Sequence, residues 1–151
     1  MGNNKPFSHE EFKNIYSRVP RLCVELVVKT PEGVILSLRK LPSYRGKWHI
    51  PGGTVFYKEK VTDAVKRVAA EELGIEVSIR ELLGYIDYDS EEKERGFGFS
   101  VGLVFLCLAE ATLMKPNEDS SEIKIFKSLP DNIIEEQRHF LESKWGYIMK
   151  S

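Results

Sequence analysis

Gly53-Thr54-Val55-Phe56-Tyr57-Lys58-Glu59-Lys60-Val61-Thr62-Asp63-Ala64-Val65-Lys66-Arg67-Val68-Ala69-Ala70-Glu71-Glu72-Leu73-Gly74-Ile75 decides how this 151-residue chain is read. The stretch predicts a loop followed by one helix from about Lys58 to Leu73, with Gly74 placed as its left-handed cap. That helix ends on two adjacent carboxylates, Glu71 and Glu72. Negative charges there face the negative end of the helix dipole, so the pair becomes sensible when a cation sits beside it. An exposed end turn, with both charges screened by water, is the plain alternative.

Angular positions separate the two. At about 100° per residue, Ala64, Val68, Val61, Val65 and Ala69 share one apolar arc, and Glu72 projects into its middle. A carboxylate on a buried face must be paired, hydrogen-bonded or bound to a metal. Glu59, Asp63, Arg67 and Glu71 form a second row at four-residue spacing, in which Arg67 can bridge carboxylates. Together the two rows favour a divalent-metal site on one helix, although a solvated ladder would give the same second row.

Working outward, Trp48-His49-Ile50-Pro51-Gly52-Gly53 reads as an apolar strand running into a Pro-Gly-Gly turn. A backbone carbonyl there, taken at Gly52, could complete an oxygen-rich shell suited to Mg²⁺ or Mn²⁺. An ordinary Gly-Gly turn is the alternative.

The pattern G-x5-E-x7-R-x3-EE-x-G-aliphatic resembles the box of the Nudix hydrolases, which cleave nucleoside diphosphates linked to another group. Gly53, Glu59, Arg67, Glu71, Glu72, Gly74 and Ile75 match it at the required spacing. One position departs: the residue after the arginine is usually glutamate, a metal ligand or general base in the family, and here it is Val68. The GDP-mannose mannosyl hydrolases carry an aliphatic residue there, and residues 7–80 are similar to theirs. In that subgroup water attacks the sugar carbon and a nucleoside diphosphate leaves.

The resemblance implies an α/β fold, the Nudix-like α/β/α sandwich with a mixed sheet between helices. It implies Mg²⁺, with Mn²⁺ as a substitute, held by Glu71, Glu72 and the Gly52 carbonyl. Glu59 is expected to ligate through water or to fix the loop–helix junction, and Arg67 to orient the carboxylates. Arg39, closing a strand, is expected to meet the leaving phosphate; a guanidinium fork suits that task. Tyr44 is a base-stacking candidate, while Trp48 either stacks on substrate or packs in the core. Asp119 stands where the subgroup has an extra ligand, but Ser120 stands where it has its histidine base. With Val68 inert, base candidates are Glu71, Glu72, the carboxylates between Asp87 and Glu94, and Glu118, Asp119 and Glu122. His49 has no assignable facing, and His9 and His139 lie on terminal helices.

The remaining features set bounds. The length fits one domain, 1–151, able to bury a core. A net charge of −1 gives no electrostatic reason to expect nucleic-acid binding. No apolar run approaches the roughly 20 residues of a membrane span, and the charged N-terminus is unlike a signal peptide. Cys23 and Cys107 sit inside apolar strands, as buried free thiols do, so a cytoplasmic protein is expected. A homodimer is implied by resemblance alone.

Ser8 and Glu11 are spaced as a capping box for a short first helix ended by Pro20. Strands are predicted at Arg21–Thr30, Val34–Lys40, Glu76–Tyr88, Phe97–Leu108 and Ile123–Phe126, and a last helix from about Asp131 to Lys144. The charged run Asp89–Gly96 reads as a solvated hairpin end. Three functions fit: a Mg²⁺-dependent hydrolase of a nucleotide sugar, a pyrophosphohydrolase attacking phosphorus in ADP-ribose, dinucleotides or nucleoside triphosphates, or a nucleotide sensor without turnover.

Overall fold

Ser8 and Glu11 make both bonds of the capping box: the Ser8 hydroxyl accepts from the Glu11 amide at 3.1 Å, and the Glu11 carboxylate accepts from the Ser8 amide at 2.9 Å. They start α1 (His9–Tyr16), which Ser17 caps in the computed structural model, where residues 5–110 and 120–151 are described. Next come β1 (Arg21–Thr30) and β2 (Gly33–Arg39), joined by a turn in which the Thr30 hydroxyl accepts from the Gly33 amide at 3.2 Å. The short strands β3 (Trp48–His49) and β4 (Gly52–Thr54) precede α2 (Val61–Val68). Then follow β5 (Ser78–Asp87), α3 (Glu91–Arg95), β6 (Ser100–Leu108), β7 (Ser120–Phe126), α4 (Glu135–Glu142) and α5 (Trp145–Met149).

The strands form one mixed sheet in the order β3-β2-β1-β6-β5, with β4 also on β1 and β7 also on β2. β1 and β6 run parallel; the other pairs are antiparallel. β2 stays with β1 only at Lys29–Thr30, and β4 takes the edge at Cys23–Glu25. The Gly-Gly segment is thereby laid beside the middle of β1.

Strand alternation makes the two layers. Val24, Leu26 and Val28 of β1 pack with Ala64, Val65 and Val68 of α2 on one face. Val27 packs with Ile134, Leu141 and Ile148 of the α4–α5 region on the other. This is the α/β/α sandwich expected. Cys23 and Cys107 are buried and unbridged, and burial pushes their thiols up to about 11 and about 12. No helix among the described residues is long and apolar enough to cross a membrane.

Four sequence expectations need correction. The box helix starts at Val61 and not at Lys58, because Lys58 has a φ of +63°, outside the right-handed helical region. Its last turn, Ala69–Leu73, is a π turn closed by Gly74 at φ +67°. The extra residue of a π turn breaks the 100° progression, so Glu72 leaves the apolar arc for a half-buried position while Leu73 becomes buried. The predicted last helix is shortened to α4, because Ile134 is extended, with ψ 129°, and residues 132–134 bond to Trp48 instead; α5 follows beyond its predicted end. The solvated hairpin end contains α3, whose Glu91 is buried.

Candidate active site

Arg67 sits at the centre of the box. Its Nε donates to Glu59 Oε2 at 2.8 Å and its Nη2 to Glu59 Oε1 at 3.0 Å. Nη1 reaches Glu71 Oε2 at 3.1 Å, and Nη2 also reaches the Thr54 carbonyl at 2.7 Å. The guanidinium stacks 3.9 Å from the Phe56 ring centre. Glu59 also accepts from the Phe56 amide at 3.0 Å, so both its oxygens are committed and it braces the loop–helix junction. Arg67 holds its carboxyl below the usual carboxylate range.

Glu71 and Glu72 are half-buried on the wall of a cleft of about 950 Å³. Gly52 lines the same cleft. The Thr54 carbonyl leaves the β1 ladder to meet Arg67, and by the two-residue period of a strand the Gly52 carbonyl leaves it on the same side. Two carboxylates and a carbonyl are hard oxygen donors, which fit Mg²⁺ or Mn²⁺ with the remaining positions left to water and substrate phosphate. Among the described residues no three His, Cys, Asp or Glu side chains make a fuller cage.

Val68 is 1% exposed, and its Cγ2 lies 3.0 Å from where a Cβ on Gly53 would stand. It belongs to the core and not to the cleft. Arg39 lines the cleft, its Nε donating to the Ser43 carbonyl at 2.9 Å and its Nη2 to the Ser43 hydroxyl at 3.1 Å. Tyr44 also lines it, with the Arg39 guanidinium 5.9 Å from its ring and its hydroxyl 2.7 Å from that of Ser90. Trp48 does not line it: the indole packs edge-on against Phe126 at 4.8 Å, in the core role that was the alternative. Asp119 and Glu118 lie outside the described residues.

The cleft floor holds Glu25, Tyr88 and Gln137, none of them a site candidate from sequence, and His49, whose facing the sequence left open. Glu25, on the β1 face opposite α2, is 7% exposed. Space for it exists because two neighbours are glycine: a Cβ on Gly102 would stand 2.6 Å from Glu25 Cγ, and one on Gly52 2.4 Å from Oε2. The Ile50 amide donates to Gln137 Oε1 at 2.8 Å, Gln137 Nε2 donates to Tyr88 Oη at 2.9 Å, and the Tyr88 hydroxyl faces the Glu25 carboxyl. Burial pushes the Glu25 carboxyl up to about 7. His49 is buried too; its Nδ1 donates to the Ile50 carbonyl at 2.8 Å, leaving Nε2 with a lone pair and no partner among the described residues. Burial and the nearby Arg39 charge push His49 down to about 3.

These two groups set opposing pH dependences of stability. Glu25, raised from 4.5 to about 7, contributes stability that is fully present below pH 4.5 and lost as pH rises through 7. His49, lowered from 6.5 to about 3, contributes stability present above pH 6.5 and lost as pH falls toward 3. Glu25→Gln is expected to remove the first loss, so urea midpoints at pH 8 should exceed wild type while those at pH 4.5 stay level. Parallel wild-type and variant curves across that range would contradict the placement of Glu25.

A NUDIX domain profile matches residues 19–142. The chain belongs to the Nudix family. It is 36% identical over 124 residues to the low-salt glycan biosynthesis protein Agl8 of Haloferax volcanii, covering 78% of each chain. It is 28% identical over 107 residues to an ADP-ribose pyrophosphatase of Methanocaldococcus jannaschii, covering 71% of this chain and 62% of that protein. A MutT Nudix hydrolase from Burkholderia pseudomallei superposes with a TM-score of 0.73 at 27% identity, over 83% of this chain and 98% of its own. Nudix hydrolases act on nucleoside diphosphate derivatives and use divalent metal ions, and the Glu71–Glu72 wall of this Nudix cleft offers the donor type such an ion takes.

Proposed function

We propose that this Nudix hydrolase is Mg²⁺-dependent and cleaves a nucleotide sugar of the GDP-mannose type, with water attacking the sugar carbon. The observation that carries the reading is the buried Val68. At the place where family members present a glutamate to the metal, this chain presents a methyl-covered core contact. The relative sharing 36% identity is named for glycan biosynthesis, which favours a substrate that bears a sugar.

In this reading Glu71, Glu72 and the Gly52 carbonyl hold the ion, which when bound neutralises phosphate charge and stabilises the leaving oxygen. Arg67 and Glu59 keep the ligands in place. Arg39, lining the same cleft, meets the departing diphosphate. The Glu25–Tyr88–Gln137 chain supplies hydroxyl-bonding groups suited to a sugar. As the new bond from water to the sugar carbon forms, the bond from that carbon to the diphosphate oxygen breaks and one water proton is released.

A second reading, attack at phosphorus, is favoured by the 28% identical ADP-ribose pyrophosphatase. Turnover in ¹⁸O-water of a panel of nucleotide sugars, ADP-ribose, dinucleotides and nucleoside triphosphates separates the two. Label in free sugar with an unlabelled nucleoside diphosphate is the expected result. Label in a phosphate-bearing product would replace it with the second reading, and binding without turnover would make the chain a nucleotide sensor.

A further inference from the structure

At the end of the cleft walled by α1, two guanidinium groups converge on one carboxylate. Glu91 Oε2 lies 3.3 Å from Arg21 Nη2 and 3.3 Å from Arg95 Nε, while Glu91 Oε1 accepts from the Ser100 hydroxyl. Arg21 spends its other terminal nitrogen on the Thr54 hydroxyl at 2.8 Å. Arg95 spends nothing more: among the described residues no group accepts from its Nη1 or Nη2. Its guanidinium stands 5.8 Å from the Phe12 ring centre and 5.9 Å from that of Phe97, so it is held between an ion pair and two aromatic faces. Burial, with repulsion from Arg21 and Arg39, lowers its proton affinity from the ordinary arginine range.

Three guanidinium groups, Arg21, Arg95 and Arg39, face two carboxyl groups, Glu91 and Glu25, in this cleft, which leaves a positive surplus in a half-buried place that is costly unless an anion supplies the missing charge. A planar fork with its outer edge open suits phosphoryl oxygens, which it can engage in paired hydrogen bonds. Thr54 connects this end to the box, since its hydroxyl meets Arg21 and its carbonyl meets Arg67.

We propose that Arg95 is a substrate-binding residue whose open guanidinium edge, with Arg21 beside it, grips the diphosphate of the substrate. The assignment rests on the cleft being a nucleoside-diphosphate site. Glu91 acts through Arg95 and is a positioning residue.

Calorimetric titration with the α,β-methylene analogues of ADP, GDP and UDP, in Mg²⁺, tests it in wild type, Arg95→Gln and Arg95→Lys. The best wild-type ligand is expected to bind Arg95→Gln about tenfold or more weakly, because a charge-assisted pair is lost. Arg95→Lys should recover part of that loss, with all three proteins melting alike. Unchanged affinity in Arg95→Gln would overturn the proposal. So would equal losses in both variants accompanied by lowered melting temperatures, since Arg95 would then only hold the fold. If wild type binds none of the three analogues, the nucleotide reading of the cleft falls and the proposal falls with it.

Discussion

Glu72→Gln is expected to abolish metal-dependent turnover while the protein stays folded. Glu72 lies in the π turn just before Gly74, where the dipole of the helix disfavours negative charge. A half-buried carboxylate on a cleft wall at that position gains most when a cation is bound beside it. The amide keeps the shape and loses the charge, so the loss should fall on the ion and not on packing. A fall in kcat of about a hundredfold or more is expected, larger than the cost of losing a residue that merely supports a ligand. Mn²⁺ titration followed by electron paramagnetic resonance should show weaker binding, with an unchanged or raised melting temperature. Full activity with wild-type Mn²⁺ affinity would remove Glu72 from the proposed ligand set.

Arg67→Lys is expected to cost both activity and stability, because one ammonium cannot replace a planar fork that reaches Glu59, Glu71 and the Thr54 carbonyl together. Glu59 would lose its bidentate partner and Glu71 its tether. A stability loss on the order of 2 kcal/mol follows from stranding partly buried groups. Turnover should fall about tenfold to a hundredfold, as for other residues that orient a ligand. Raising the metal concentration should restore part of the rate, since the ligands remain and only their placement is lost. A variant that melts and turns over like wild type would show that the bonds around Arg67 are ornamental to both.

Much of the architecture was legible because local signals agreed with the tertiary fold. Ser8 and Glu11 lie three apart, Gly74 follows the last helical leucine, and Arg21–Thr30 is a strand with the predicted ends. The π turn was not legible, since one inserted residue leaves the composition of Val68–Leu73 unchanged and shows only in which side chain is buried. The Arg67 row could be read from four-residue spacing. Glu91 could not, because its run of charges resembles a solvated loop and its partner Arg21 comes from the far end of the chain. Glu25 left a signal that went unused: an ionisable residue in the middle of the apolar run Leu22–Val28 is rare unless paired or functional. Its glycine neighbours Gly52 and Gly102 were visible too, but only the register brings them together.

The parallel pairing of β1 with β6 has a consequence for how the protein comes into being. Arg21 pairs with Ser100 and Lys29 with Leu108, so the first long strand stays without that neighbour until most of the chain has been synthesised. The β1–β2 hairpin and the box helix are local and can form early, whereas closing so large a loop is entropically slow. A nascent chain therefore holds the Glu71–Glu72 wall before β6 completes the sheet beneath the cleft, with one edge of an apolar strand exposed to other chains in the interval. Aggregation during synthesis should concentrate at that edge, and changes in β6 should affect yield of folded protein more than their effect on the finished molecule suggests.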